Sequence, residues 1–297
     1  MEALLGRVAD GLYNVALVVA LWATGLALGL SLKPADLLAP FRNVSLLARV
    51  FALDALVIPV LVWALTELFA VPTESATGLL LVGVASAGPL GITTCRIAGG
   101  DTSTAVSLVV VFEAANVVVI PVWAAILLPS GTHVSLAAVV ATLLLLVVAP
   151  LAVGVAVRAR WGPWVQRWAP PLATLSSALV VVVVVAVLVH YGSNVIDATE
   201  HGAAAVAAIT VLAALGLGWA AGGPATGTRI AAAMVTGVRA NGLALAIARA
   251  SYPSHRAVEA AVVTFGVLSI VLPCVAAYSW AAYRAGRTHR PRRAHRP

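Results

Sequence analysis

The chain has 297 residues, 62% hydrophobic and 10% charged, with a formal net charge of +7 and a mean hydropathy of +1.03. That composition excludes a soluble globular domain. Apolar runs of about 20 residues recur from one end to the other, the length that spans a bilayer as a helix, and backbone in lipid must satisfy its own hydrogen bonds, so the runs imply a helical bundle.

Nine spans are expected, at about 11–32, 44–70, 75–96, 102–128, 134–157, 170–191, 202–222, 228–250 and 256–283. The first is read as a mature helix, because Glu2 and Asp10 precede it and its apolar run, Leu12 to Leu32, is too long for a signal core. The second carries Asp54. The third has Gly88, Pro89 and Gly91 at mid-depth, where Pro removes a donor and Gly weakens a helix. The fourth carries Glu113 and Asn116. The eighth has Gly237, Arg239, Asn241 and Gly242 at mid-depth. Gly- and Pro-rich turns separate the spans, as at Gly99-Gly100-Asp101 and Gly222-Gly223-Pro224.

Loop charge sets the orientation. Lys33, Arg42, Arg96, Arg158, Arg160, Arg167 and Arg229 fall on one side with the 284–297 tail, which carries Arg284, Arg287, Arg290, Arg292, Arg293 and Arg296. Glu74, His133, Asp197 and Glu200 fall on the other, with Arg256 as the basic exception. The positive-inside rule then puts the N-terminus outside and the basic tail in the cytoplasm of a plasma (inner) membrane protein. The tail reads as an anchor on anionic lipid rather than a nucleic-acid contact.

Asp54, Glu113 and Arg239 lie well inside apolar stretches, where a charge is paired, faces a cavity or does chemistry. A structural ion pair holding two helices together is the plain alternative. Two interrupted spans in corresponding halves point to a transporter with inverted repeats, whose broken helices cross at the substrate site. Thr93, Thr94, Thr236 and Asn241 are the other polar groups expected near that crossing. Helix N-termini exposed at a break suit an anion, and Arg239 adds to this, so a small organic anion is the expected cargo. Glu113 has Asn116 on its own helix face and no evident cation. Apolar surroundings favour a neutral carboxylic acid, which is what a proton-coupled carrier needs.

Ser86, Ser107, Thr210 and Ser269 are read as hydroxyls bonded back to their own helices. Trp63, Trp123, Trp161, Trp164, Trp168, Trp219 and Trp280 sit near span ends, as interfacial anchors do. The two cysteines, Cys95 and Cys274, give neither a disulfide framework nor metal-ligand spacing. No protease, nucleophile-elbow, phosphate-loop or dinucleotide motif is visible, so an enzyme is not expected and no cofactor is implied.

From Ala23 onward the chain resembles the bile acid:sodium symporter family. The likeness rests on Gly25-Leu-Ala-Leu-Gly-Leu-Ser-Leu-Lys-Pro-Ala-Asp36, on Val82 to Asp101 with its Ala98-Gly99-Gly100-Asp101 turn, and on Gly237 to Ala246 with Asn241-Gly242-Leu243-Ala244. The resemblance implies an all-α membrane fold of about nine helices, one fewer than the family's usual ten, with two broken helices crossing in a core domain beside a panel domain. The single transporter domain, 1–283, would divide into a core at about 44–128 and 202–283 and a panel at about 11–32 and 134–191. Movement of core against panel would give alternating access.

The family's sodium ligands are replaced. By ungapped alignment its Ser-Asn pair falls at Gly91-Ile92, and its hydroxyl positions at Ala105 and Val109. Its Glu falls at Val235, or at Thr236 if the register slips by one. Its two Gln positions, which meet at the second sodium, become Asp54, five residues before Pro59, and Arg239. An Asp54–Arg239 pair would then put a fixed cation where that sodium sits. Whether sodium, a proton or no ion drives transport is left open. The expected function is secondary transport of a small amphipathic organic anion. A non-transporting receptor or sensor on the same fold is the alternative, or a metalloid carrier of the arsenite-efflux type that uses Cys95. Oligomeric state is not legible.

Overall fold

The computed structural model describes residues 2–31, 43–127, 136–172, 174–175, 178–179, 202–252 and 255–288, with side chains at 15–31, 43–126, 139–172, 174–175, 178–179, 202–252 and 255–285. Most of the expected span at 170–191 lies outside these residues, as do Lys33, Arg42, His133, Asp197, Glu200 and the tail beyond Thr288.

Every regular element among the described residues is helical. The helices are α1 (Glu2–Ser31), α2 (Val44–Leu68), α3 (Thr73–Val84), α4 (Leu90–Ile97) and α5 (Thr102–Leu127). Then come α6 (136–161), a 3₁₀ segment (Gly162–Trp168), α7 (Ala203–Ala221), α8 (Thr226–Gly237), α9 (Asn241–Ser251) and α10 (Arg256–Thr288). Six stretches among the described residues are long and apolar enough to cross a membrane: Val44–Leu68, Thr102–Ile126, Val139–Leu172, Ala203–Ala221, Thr226–Ser251 and Arg256–Ala285. Val15–Ser31 and Thr73–Val84 are shorter apolar helices. The expected third span is thus not one helix but α3 and α4 on either side of a break.

Side-chain caps set several boundaries. Asn43 Oδ1 accepts from the Leu46 N–H at 3.1 Å and starts α2. Asp101 starts α5 by accepting from the N–H groups of Ser103 and Thr104 at 3.0 and 3.3 Å, and from the Thr104 hydroxyl at 2.6 Å. The Asp101 N–H donates to the Gly227 carbonyl at 3.0 Å, joining the turn before α5 to the start of α8.

Close backbone approach fixes the pairing of α1 with α6. A Cβ on Gly29 would lie 2.8 Å from the Gly154 Cα, and one on Gly154 would lie 2.9 Å from the Gly29 Cα. Packing without a hydrophobic driving force relies on such small-residue contacts. Elsewhere α3 packs on α10, α7 on α8 and α10, and α8 on α4 and α5. The interrupted α8–α9 stretch is the innermost: 89% of its apolar window is buried, against 33–56% for the other five spans. A helix wrapped on all sides by protein can carry polar side chains and a break.

Candidate functional site at the helix crossing

The two breaks lie against one another. Ala85 to Pro89 separates α3 from α4, and Val238 to Ala240 separates α8 from α9. Backbone groups released by each break are taken up by the other: the Gly88 N–H donates to the Val238 carbonyl at 2.9 Å, and the Ala240 N–H to the Ala85 carbonyl at 3.2 Å. Gly88 is required by this approach, because a Cβ there would lie 2.6 Å from the Arg239 carbonyl oxygen. Ala87 adopts a φ of +40°, a left-handed conformation uncommon for a residue with a side chain.

Of the five predicted break residues, only Gly88 and Pro89 lie within a break. Gly91 is in the first turn of α4, where a Cβ would sit 3.1 Å from both the Met234 carbonyl oxygen and the Val235 Cα. Gly237 ends α8 against Leu215, and Gly242 is in the first turn of α9. The second break is therefore made by Val238, Arg239 and Ala240, and the neighbouring glycines serve helix packing.

Arg239 reaches from the second break to the first. Its guanidinium is paired with Asp54 Oδ1 and donates to the Gly83 carbonyl, and its Nε donates to the Val82 carbonyl at 3.3 Å. These carbonyls belong to the last turn of α3, which the break leaves without helical donors. The cation therefore sits at the negative end of a half-helix with a carboxylate beside it. Both side chains are buried, Asp54 at 0% and Arg239 at 2% exposure. Asp54 Oδ2 has no hydrogen-bond partner.

Pro59 shapes the helix that presents Asp54. A helix-interior proline lacks an N–H and crowds the carbonyl four residues back, here that of Ala55. The helix widens into a π-type turn at Leu53–Val57, and the Ala55 carbonyl accepts from Trp123 Nε1 at 2.7 Å. Trp123 is thus a tie between α5 and α2, where the sequence reads an interfacial anchor.

Asn116 is the second clamp. Its Oδ1 accepts from the Ser86 N–H and its Nδ2 donates to the Ser86 carbonyl, both at 3.0 Å. The side chain read as a neighbour of Glu113 is also the support of the first break. Ser86, read as a hydroxyl turned back on its own helix, lies instead in the first break, with its backbone held by Asn116. Thr210 likewise departs from that reading: its hydroxyl is buried without a partner. Ser269 follows it, donating to the Gly266 carbonyl at 3.0 Å, and it also accepts from Asn241 Nδ2 at 2.7 Å.

The remaining expected residues divide. Thr94 is fully buried, with its hydroxyl on the Leu90 and Gly91 carbonyls at 3.2 and 3.1 Å. Thr236 is also fully buried and donates at 2.9 Å to the Ala214 carbonyl of α7 and the Ala232 carbonyl of its own helix. Its hydroxyl is committed to packing. Thr93 is exposed on α4, and Asn241 is partly exposed at the start of α9. Glu113 is 8% exposed and forms no ion pair among the described residues.

The aligned sodium positions hold packed hydrocarbon. Ala105, Val109 and Val235 are each 0% exposed within one apolar cluster, and Ile92 packs against it. Sodium needs several hard oxygen ligands, and these side chains supply none. Cys95 lies in the same cluster, fully buried, and no group of metal-binding side chains occurs among the described residues.

A model of the sodium bile acid symporter family matches residues 18–198. A comparison with curated proteins found no match.

Proposed function

The chain belongs to the sodium bile acid symporter family, and from that premise we propose that it is a secondary active transporter of a small amphipathic organic anion. Transport proceeds by alternating access, with the crossed half-helices moving against the α1–α6 side of the molecule. Arg239, held by Asp54, acts as a built-in cation in place of a coupling sodium. The observation that carries this reading is the guanidinium's ligand set: one carboxylate and the carbonyls of Val82 and Gly83. These are hard oxygens at the end of a half-helix, the surroundings that suit a monovalent cation. A side-chain cation does not leave, so it contributes no ion gradient to uphill transport.

The cargo's anionic group is placed at the crossing, near the N-terminal ends of α4 and α9, with Thr93 as the polar side chain in reach, while Asn241, whose amide donates to Ser269, supports the start of α9. Thr94, Thr236 and Asn116 support that site through the backbone. The protein sits in the plasma (inner) membrane with its N-terminus outside, as loop charge directs.

Counterflow in proteoliposomes tests the reading. Vesicles loaded with unlabelled cholate, or with members of a panel of amphipathic carboxylates, should accumulate the same labelled compound transiently. Saturable binding without exchange for every compound would contradict transport and make the protein a receptor on this fold.

A further inference from the structure

Glu113 is a buried acid without an ion-pair partner among the described residues. It lies near the middle of α5, at 8% exposure, where an uncompensated charge is costly. The charged and titratable groups on the elements packed against α5 are otherwise engaged or sit near helix ends. Glu74, in the first turn of α3, is bonded to His255 at 2.9 Å. Cys95 and Arg96 are near the end of α4. Arg229 of α8 donates to the Gly223 carbonyl, and Arg158 donates to the Gly162 carbonyl at 3.1 Å, with Arg160 beside it in the last turn of α6. Arg239 is taken by Asp54.

Asn116 lies three residues beyond Glu113 on the same face of α5. Asn116 holds both backbone groups of Ser86. Ser86 lies in the first break, three residues beyond Gly83, whose carbonyl accepts from Arg239. One path of side-chain and backbone groups therefore joins Glu113 to the first break and to the cation that spans both breaks.

We propose that Glu113 is a proton-binding site whose occupancy is coupled, through Asn116 and Ser86, to the movement of the crossed half-helices. The proposal rests on the transport reading and names its coupling ion. The Glu113 carboxylate takes one proton from water on one side of the membrane and returns it to water on the other, and no other bond is made or broken. In the ionised state Glu113 accepts from the second amide hydrogen of Asn116, and Asn116 keeps both bonds to Ser86. In the neutral state the new hydroxyl donates to Asn116 Oδ1, so this oxygen accepts from both Glu113 and the Ser86 N–H and holds each more weakly than it would hold one alone. Protonation thus loosens one of the two bonds that hold the first break.

Infrared difference spectra of the full-length protein in lipid nanodiscs, taken across neutral pH, test this without a transported substrate. The carbonyl band of a protonated carboxylic acid should grow as pH falls, disappear in Glu113→Gln and shift in frequency in Glu113→Asp. Absence of a titrating carboxyl band in the wild type overturns the proposal, whether or not Glu113→Gln folds. A band unchanged in both variants overturns it as well. Counterflow of cholate measured on the same preparations separates the two claims. Rates that depend on pH in the wild type and not in Glu113→Gln support coupling, and equal pH dependence in both overturns it. Exchange without the band contradicts the proton site and leaves transport standing. The band without exchange of any carboxylate contradicts transport and leaves a proton-binding site.

Discussion

Asp54 and Arg239 are each intelligible only through the other. Removing one partner of a buried pair strands the second charge and costs about 3–5 kcal/mol. Asp54→Asn and Arg239→Gln should therefore each lower the melting temperature sharply, while the double variant, which restores two neutral amides, should recover most of the loss. Additive losses in that cycle would mean the side chains do not act as a pair. The pairing itself was legible in the chain, because two opposite charges at bilayer depth need a partner and few were available. The carbonyls of Val82 and Gly83 were not legible, since which backbone groups a break releases depends on where the helix stops. Nor was the role of Asn116. It reads as a neighbour of Glu113 three residues away, and its bonds run to Ser86, 30 residues back along the chain. The Trp123 bond to Ala55, 68 residues away, was hidden in the same way, although Pro59 marks the carbonyl that would need a donor.

Between residues and the whole molecule stand the broken helices, and there the sequence located the breaks better than it explained them. Gly88 and Pro89 mark the first break, and only Gly88 is demanded by close approach of the other chain segment. At the second break the glycines flank the break, and Val238, Arg239 and Ala240 form it. What stops α8 is therefore not loss of helix propensity alone. The exchange of backbone bonds with Ala85 and Gly88, together with the reach of Arg239 to α3, holds the segment open. Gly88→Ala should push the two breaks apart and destabilise the protein by about 1–3 kcal/mol, the usual cost of overpacking. Gly216→Ala is the matched control: nothing lies within 4 Å of a Cβ there, and alanine favours the interior of α7. Thermal melts of both variants in one detergent should therefore move in opposite directions or leave Gly216→Ala unchanged. An equal loss in both would mean that the crossing tolerates the extra methyl.

At the scale of the molecule, a helical membrane protein follows from composition and, among the described residues, from six stretches long enough to span a bilayer. Hydropathy cannot show which spans are innermost; the 89% burial of the α8–α9 stretch is a tertiary fact, set by neighbours on every side. The family relation brings an expectation of sodium dependence, and the packed Ala105, Val109 and Val235 argue against it. On the function proposed above, the Arg239 guanidinium stands in for a bound sodium ion. An ion that binds only the folded state raises the melting temperature by mass action. The most direct test is the melting temperature of the purified protein in sodium against potassium at equal ionic strength. The same value is expected in both salts. A rise specific to sodium would contradict it, because an ion site would then have to exist beside the Asp54–Arg239 pair.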